Sequence, residues 1–305
     1  MKTHRIAQIS LSAAFVAALL LTRQTPMSAQ NPANRFVGPL SSQPLALTSD
    51  NQFLISANPD NDTVTFFDLR NDRNRKIAEV PVGDEPNGVA FSADGRRAYV
   101  ANTISGTVSV LNINLANGAI SRNAIQIGAG TEPYSLVMSP NGTKLYVANT
   151  RSNSISVINT STNTVSKVIT GVGLEPRGLA ITNDDDEDDT DETLYVTNFL
   201  SLPVAGKLDG ADDSKEGIVY TIESLNDTVV GSAIKVNPLA DTGFKATGDA
   251  LARIAPKDPA DPNNFTFTTG AYPNQLNNVA IKGGYAFLPN TGASPNGPVR
   301  FNVNT

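Results

Sequence analysis

Glu132-Pro133-Tyr134-Ser135-Leu136-Val137-Met138-Ser139, then Leu145-Tyr146-Val147-Ala148-Asn149 beyond the turn pair Asn141-Gly142, then Ser154-Ile155-Ser156-Val157-Ile158, is the stretch that decides the fold. It is one copy of a repeat. The opening phrase is matched by Glu85-Pro86-Asn87-Gly88-Val89-Ala90-Phe91-Ser92 and by Glu175-Pro176-Arg177-Gly178-Leu179-Ala180-Ile181-Thr182. The second phrase is matched by Ala98-Tyr99-Val100-Ala101-Asn102 and Leu194-Tyr195-Val196-Thr197-Asn198, and the third by Thr107-Val108-Ser109-Val110-Leu111 and Gly217-Ile218-Val219-Tyr220-Thr221-Ile222. A weaker copy opens at Pro44 and a last one is expected at Pro273, with Tyr285-Ala286-Phe287-Leu288-Pro289-Asn290 as its second phrase. Prolines 44, 86, 133 and 176 lie 42, 47 and 43 residues apart. A propeller blade takes about 40–50 residues.

Each phrase has the chemistry of a strand. Val89-Ala90-Phe91 is a short apolar run, suited to a strand covered on both faces. Asp94-Gly95 and Asn141-Gly142 supply the positive φ angles of a tight hairpin. Tyr-Val pairs favour a pleated, packed strand, and Val108-Ser109-Val110 alternates as a half-buried strand does. Fourth strands fall near 124–127 and 165–169. Four antiparallel strands per repeat, repeated radially, make an all-β propeller. The blades are expected at about 43–84, 85–131, 132–174, 175–236 and 271–305, with an insertion over 237–270 and an N-terminal extension over 30–42. That is four complete blades and an incomplete fifth.

The Glu-Pro-x-Gly-(Val/Leu)-Ala opening and the Tyr-Val-(Ala/Thr)-Asn phrase resemble the YVTN family of β-propeller repeats, and Tyr195-Val196-Thr197-Asn198 reads as that signature. Similar repeats occur in seven-bladed lactonase-like propellers, so the resemblance implies a ring of about seven blades and specifies fold more than function. This chain departs from the pattern: its last repeat reaches only Val299-Arg300-Phe301-Asn302-Val303, a third strand without a fourth. An open arc would expose strand edges. Three arrangements would hide them: further blades in a longer gene product, which is the favoured expectation; a five-bladed ring in which Arg35-Phe36-Val37 pairs with 299–303; or two chains completing each other.

Composition narrows the chemistry. Met1-Lys2-Thr3-His4-Arg5, an apolar run over 6–21 and Ser28-Ala29-Gln30 have the layout of a secretory signal peptide, cleaved after Ala29. Export to the periplasm, the cell surface or the medium of a prokaryote is the expectation. Nothing later is apolar enough to span a membrane. Cleavage removes Lys2, Arg5 and Arg23 and leaves 20 basic against 29 acidic residues, a net charge of −9. Such a surface repels nucleic acid and anionic lipid. Cysteine is absent, which excludes disulfides, thiolate metal sites and haem attachment, and the only histidine, His4, lies in the leader. Histidine-based catalysis and imidazole metal ligation are thereby excluded from the mature chain.

Candidate sites follow from the repeat. Glu85, Glu132 and Glu175 should ring one mouth of the central channel, with Asn102, Asn149 and Asn198 (and Asn58 and Asn290) ending the second strands near the same face. Such an oxygen-rich ring suits a polyol or a hard cation. A residue present in every blade is also what architecture requires, and Asn caps its own turns. Tyr134 and Arg177 follow anchor prolines yet differ between blades, which points to a specific role in the channel. The run Asp184-Asp185-Asp186-Glu187-Asp188-Asp189 offers carboxylates for calcium, with Asp184, Asp185, Asp186, Asp188 and Asp189 as ligands, or forms a solvated loop. Arg70, Arg73, Arg75 and Lys76 read as a solvated hairpin end. Insertions over 199–216 and 237–270, the latter with a short helix at 248–255, are loops of the kind that carry recognition. Two functions remain: an exported binding module for a protein or small-molecule partner, or a lactonase-like hydrolase in which Glu132 or Glu175 activates water beside Arg177.

Overall fold

A computed structural model describes residues 36–72, 74–186, 188–242 and 270–295. The expected leader, the helix at 248–255 and the strand at 299–303 lie outside them.

The described chain is almost wholly β. A two-residue strand β1 (Leu40–Ser41) is followed by a sheet of β2 (Leu45–Leu47), β3 (Phe53–Asn58), β4 (Thr63–Asp68) and β5 (Arg75–Pro81) in that order. The second sheet holds β6 (Pro86–Phe91), β7 (Arg97–Asn102), β8 (Thr107–Asn114) and β9 (Ala119–Gly128), and the third holds β10 (Pro133–Met138), β11 (Lys144–Asn149), β12 (Ser154–Asn159) and β13 (Thr164–Ile169). The fourth is built on β14 (Pro176–Ile181), β15 (Thr193–Asn198), the short β16 (Leu202–Pro203), β17 (Lys215–Glu223) and β18 (Thr228–Val236). Beyond it lie β19 (Tyr272–Asn274), β20 (Ala280–Lys282), β21 (Tyr285–Phe287) and β22 (Thr291–Ala293), as the pairs β19–β22 and β20–β21. All neighbours are antiparallel meanders, as short hairpin connections dictate.

These sheets are the blades of a β-propeller. First strands of successive sheets stand side by side, β2 by β6, β6 by β10, β10 by β14 and β14 by β20. Their separation is set by backbone. A Cβ on Gly88 would lie 2.9 Å from the Cα of Ser135, and one on Gly178 would lie 2.7 Å from the Cα of Asn278. The fifth repeat is thereby re-registered. Gln275-Leu276-Asn277-Asn278-Val279-Ala280-Ile281 takes the place of Glu175-Pro176-Arg177-Gly178-Leu179-Ala180-Ile181, which puts Leu276 at the anchor, three residues beyond the expected Pro273. Backbone angles agree: Glu85, Glu132, Glu175 and Gln275 all adopt positive φ, between 50° and 55°. The Thr197 hydroxyl donates to Leu276 O at 2.7 Å, as Thr150 Oγ1 does to Pro176 O at 3.1 Å.

Apolar side chains of the inner three strands fill the space between blades. One layer joins the first three sheets around Phe66, Phe91, Val100, Leu111 and Leu136, and a second joins the third and fourth around Ile155, Leu179 and Val196. Leu40 packs against both layers. The segment carrying it threads the inner edges of the blades. Leu40 and Ser41 pair with Ile181 and Ala180 of β14, Ser42 N donates to Leu179 O at 2.7 Å, and Val89 N donates to Gln43 O at 3.1 Å. At the far end Phe36 N donates to Pro140 O, and the Asn183 amide donates to Phe36 O and Gly38 O at 2.9 and 3.0 Å. Residues 36–43 therefore lie along the channel edge of blade four. Phe36 and Val37, expected with residue 35 to pair with 299–303, belong to this arm; residue 35 and 299–303 lie outside the described residues.

Adjacent blades are also clamped at their outer turns. Tyr146 OH donates to Asp227 Oδ1 at 2.7 Å, and Lys144 Nζ lies 3.0 Å from the same carboxylate. Burial and the Asp227 charge hold the Tyr146 phenol in its protonated form, far above the usual tyrosine range. One blade earlier Asn163 stands where Asp227 does, and the buried Tyr99 hydroxyl has no hydrogen-bond partner among the described residues. Tyr146→Phe should cost about 1.5–3 kcal/mol, the worth of a bond to a charged acceptor. Tyr99→Phe should cost less than about 0.5 kcal/mol, because it removes a buried polar atom that has no bond to lose. Urea unfolding of both variants checks the contrast.

Candidate binding site at the channel mouth

The left-handed turn at each anchor explains what the repeated glutamates do. Positive φ is uncommon outside glycine; here it aims the glutamate carbonyl at the end of the second strand. Glu85 O accepts from Thr103 N, Glu132 O from Thr150 N and Glu175 O from Phe199 N, each at 2.9 Å. Asp62 Oδ1 and Asn153 Oδ1 hold the Glu85 and Glu175 N–H groups at 2.8 Å. The three side chains remain half-exposed at the same end of the inner strands.

Asn102, Asn149 and Asn198 are placed differently. All three are fully buried. Asn102 donates to Thr107 and Ser109 hydroxyls at 3.1 and 2.9 Å and accepts from Gly83 N, Asn149 donates to Ser154 and Ser156, and Asn198 donates to Val172 O and Leu174 O. Asn102 and Asn198 pin the segment before the next anchor and Asn149 ties the second strand to the third, all inside the blade, and a ligand at the mouth does not reach them. This corrects the expected asparagine ring.

Tyr134 and Arg177, one residue after successive anchors, do come together. The Arg177 guanidinium carbon lies 4.3 Å from the Tyr134 ring centroid and 3.7 Å from that of Phe199, within cation–π range of both rings. Nη1 donates to Asn277 Oδ1 at 3.2 Å, and Nε is buried with no partner among the described residues. Ser135 Oγ donates to Arg177 O and fixes its backbone to the neighbouring blade. Asn87, Tyr134, Arg177 and Asn277 thus occupy one repeated position with three different side-chain chemistries, asparagine appearing twice. Two members were missed in the sequence. Asn277 was hidden by anchoring the fifth repeat at Pro273. Phe199 was assigned to an insertion, although it directly follows the repeat's own Asn198.

The five aspartates expected to hold calcium do not converge. Asp185 accepts from Gly38 N at 3.0 Å, Asp186 from Asp188 N at 2.7 Å, Asp188 from Thr190 N at 2.8 Å and Asp189 from Asn141 N at 2.8 Å. Each has a carboxylate oxygen committed to main chain, so the loop is a clamp on the neighbouring blade and on the arm at 36–43. The carboxylates that approach one another are Asp184, Asp191 and Glu192, with one oxygen of each within 4.8 Å of the others. Glu192 is buried and receives Asp184 N and the Thr182 hydroxyl, and burial raises its pKa. Arg70 is engaged too: it grips Asp68 through Nε and Nη2 at 2.8 and 2.9 Å, stacks on Phe53 and holds the Asp68 pKa at about 2.

The fold and mouth define a propeller with a non-repeating cluster on a repeating frame. In sequence, residues 44–187 match the family model described as lactonase, 7-bladed beta-propeller. No curated protein matches. Among solved structures, Kuenenia stuttgartiensis hydrazine synthase aligns at 22% identity and TM-score 0.48, over 70% of this chain and 52% of that one. A Bacteroides uniformis protein described as a candidate 6-phosphogluconolactonase aligns at 18% identity and TM-score 0.46, over 64% and 55%. The chain spans about half the length of each.

Proposed function

We propose that this chain is an exported YVTN-type propeller module that binds a small ligand at the channel mouth. The observation that carries the reading is Arg177, which lies over the rings of Tyr134 and Phe199 and is tied to Asn277, at a position where successive blades supply asparagine, tyrosine, arginine and asparagine. An architectural position would repeat, as the buried asparagines do. A charged group in an aromatic slot at a rigid rim is a recognition device. The basic, then apolar, layout of residues 1–29 supports export.

Lactone hydrolysis is the second reading, favoured by the family-model match over 44–187. Glu132 or Glu175 would serve as the base and Arg177 would hold the developing oxyanion. One experiment separates the two. On the binding reading, a panel of lactones followed by pH-stat shows no turnover above buffer. Turnover abolished by Glu132→Gln or Glu175→Gln would establish hydrolysis instead.

A further inference from the structure

Resting on the channel-mouth reading, we infer that the ligand is an organic monocarboxylate with an apolar body, its carboxylate on the edge of Arg177. Two aromatic rings lie against the guanidinium, with centroids 3.7 and 4.3 Å from its carbon, and its N–H groups, which all lie in the guanidinium plane, are what remains for recognition. That planar fork matches a carboxylate or a phosphate. Among the described residues no carboxylate forms an ion pair with it. Its charge is compensated only by ring faces and the neutral Asn277 oxygen. A half-buried cation so placed gains from an incoming anion.

Two features select among anions. Glu85, Glu132 and Glu175 stand at the same end of the inner strands and repel a dianion more than a monoanion, which disfavours phosphate monoesters. Beside Arg177 the fourth blade contributes exposed leucines. Leu174, held by the Asn198 amide through its carbonyl, is 57% exposed, and Leu200, next to Phe199, is 46% exposed. With Tyr134 and Phe199 they offer apolar surface to a hydrocarbon body and little to a polyol.

Calorimetric titration of the whole protein with octanoate, octanol, gluconate and inorganic phosphate tests this. Octanoate should bind at least about tenfold more tightly than the other three, the worth of one charge-assisted bidentate contact. Its affinity should fall with added salt. Arg177→Gln should lose about tenfold, while Arg177→Lys, which keeps a charge without the fork, should fall between. Octanol binding as well as octanoate, or octanoate unaffected by Arg177→Gln, overturns the carboxylate assignment. The mouth reading then survives only if Tyr134→Ala and Phe199→Ala still abolish binding, and falls with it if they do not. Phosphate or gluconate binding more tightly, or no binding by octanoate, likewise overturns the assignment. Should Arg177→Gln fail to fold, the salt dependence and the octanoate-to-octanol ratio of the parent protein decide.

Discussion

Deleting residues 36–43 should lower the unfolding free energy by about 3–6 kcal/mol, enough to unfold many domains whose whole stability is 5–15 kcal/mol. Phe36 is 8% exposed, and its loss alone forfeits roughly 1.5–3 kcal/mol of burial. Val89 N and Leu179 N lose their acceptors, Gln43 O and Ser42 Oγ, at roughly 1–3 kcal/mol each where water does not replace them. Water entering the vacated channel recovers part of that hydrogen bonding but none of the apolar contact of Leu40 with both core layers. Val37, 89% exposed within the same segment, provides the control: Val37→Ala should change stability by less than about 0.5 kcal/mol. Urea denaturation of the two variants beside the parent checks the pair. A deletion as stable as the parent would make the arm mere decoration.

Gly178→Ala is expected to cost about 3 kcal/mol or more. The added methyl would stand 2.7 Å from the Cα of Asn278 and 2.6 Å from Thr197 Oγ1. The first is backbone and cannot swing away, so β14 and the segment leading into β20 must part, and overpacking of this kind is costly. The effect should reach the mouth, because Arg177 and Asn277 ride on the segments forced apart. Gly128→Ala is the matched comparison, since a methyl there meets nothing within 4 Å. It should be neutral to within about 0.5 kcal/mol. Equal melting temperatures for the two variants would show that the close approach of neighbouring blades is not what positions the rim.

How far the molecule was legible in its sequence varied with the kind of interaction. Repeats announced the blades, because a strand's partner within a blade lies a hairpin away and leaves a local pattern: Leu136 and Val147, Tyr146 and Val157 pair as the phrases suggest. The first four anchors were legible because proline marks them. The fifth was not, because Leu276 does the proline's work and Pro273 lay nearby as a decoy. Tyr134 and Arg177 stood out by differing within a repeat, but their closure on Phe199 and Asn277 depends on contacts up to 100 residues apart. The asparagines misled for the opposite reason. A polar residue at every strand end suggests a wet rim, whereas each asparagine is buried and spends its amide N–H groups on hydroxyls or main chain inside the blade. The acidic run reads as repulsion in one dimension, while in space its carboxylates cap main-chain N–H groups.

The threading of residues 36–43 also sets an order of events. Gly38 meets Asp185 across 147 residues and Ser42 meets Leu179 across 137. Blades assemble from hairpins whose ends are close in the chain and whose closure costs little entropy. Gln43 and Phe36 meet the second and third blades, but most of the arm's bonds wait for the first strand of the fourth blade and the loop after it, so it completes its threading late. Contacts made after the rate-limiting barrier leave the folding rate nearly untouched and govern how quickly the structure comes apart. The arm is thus a latch on the exit path: its loss shortens the lifetime of the assembled blades far more than it slows their assembly.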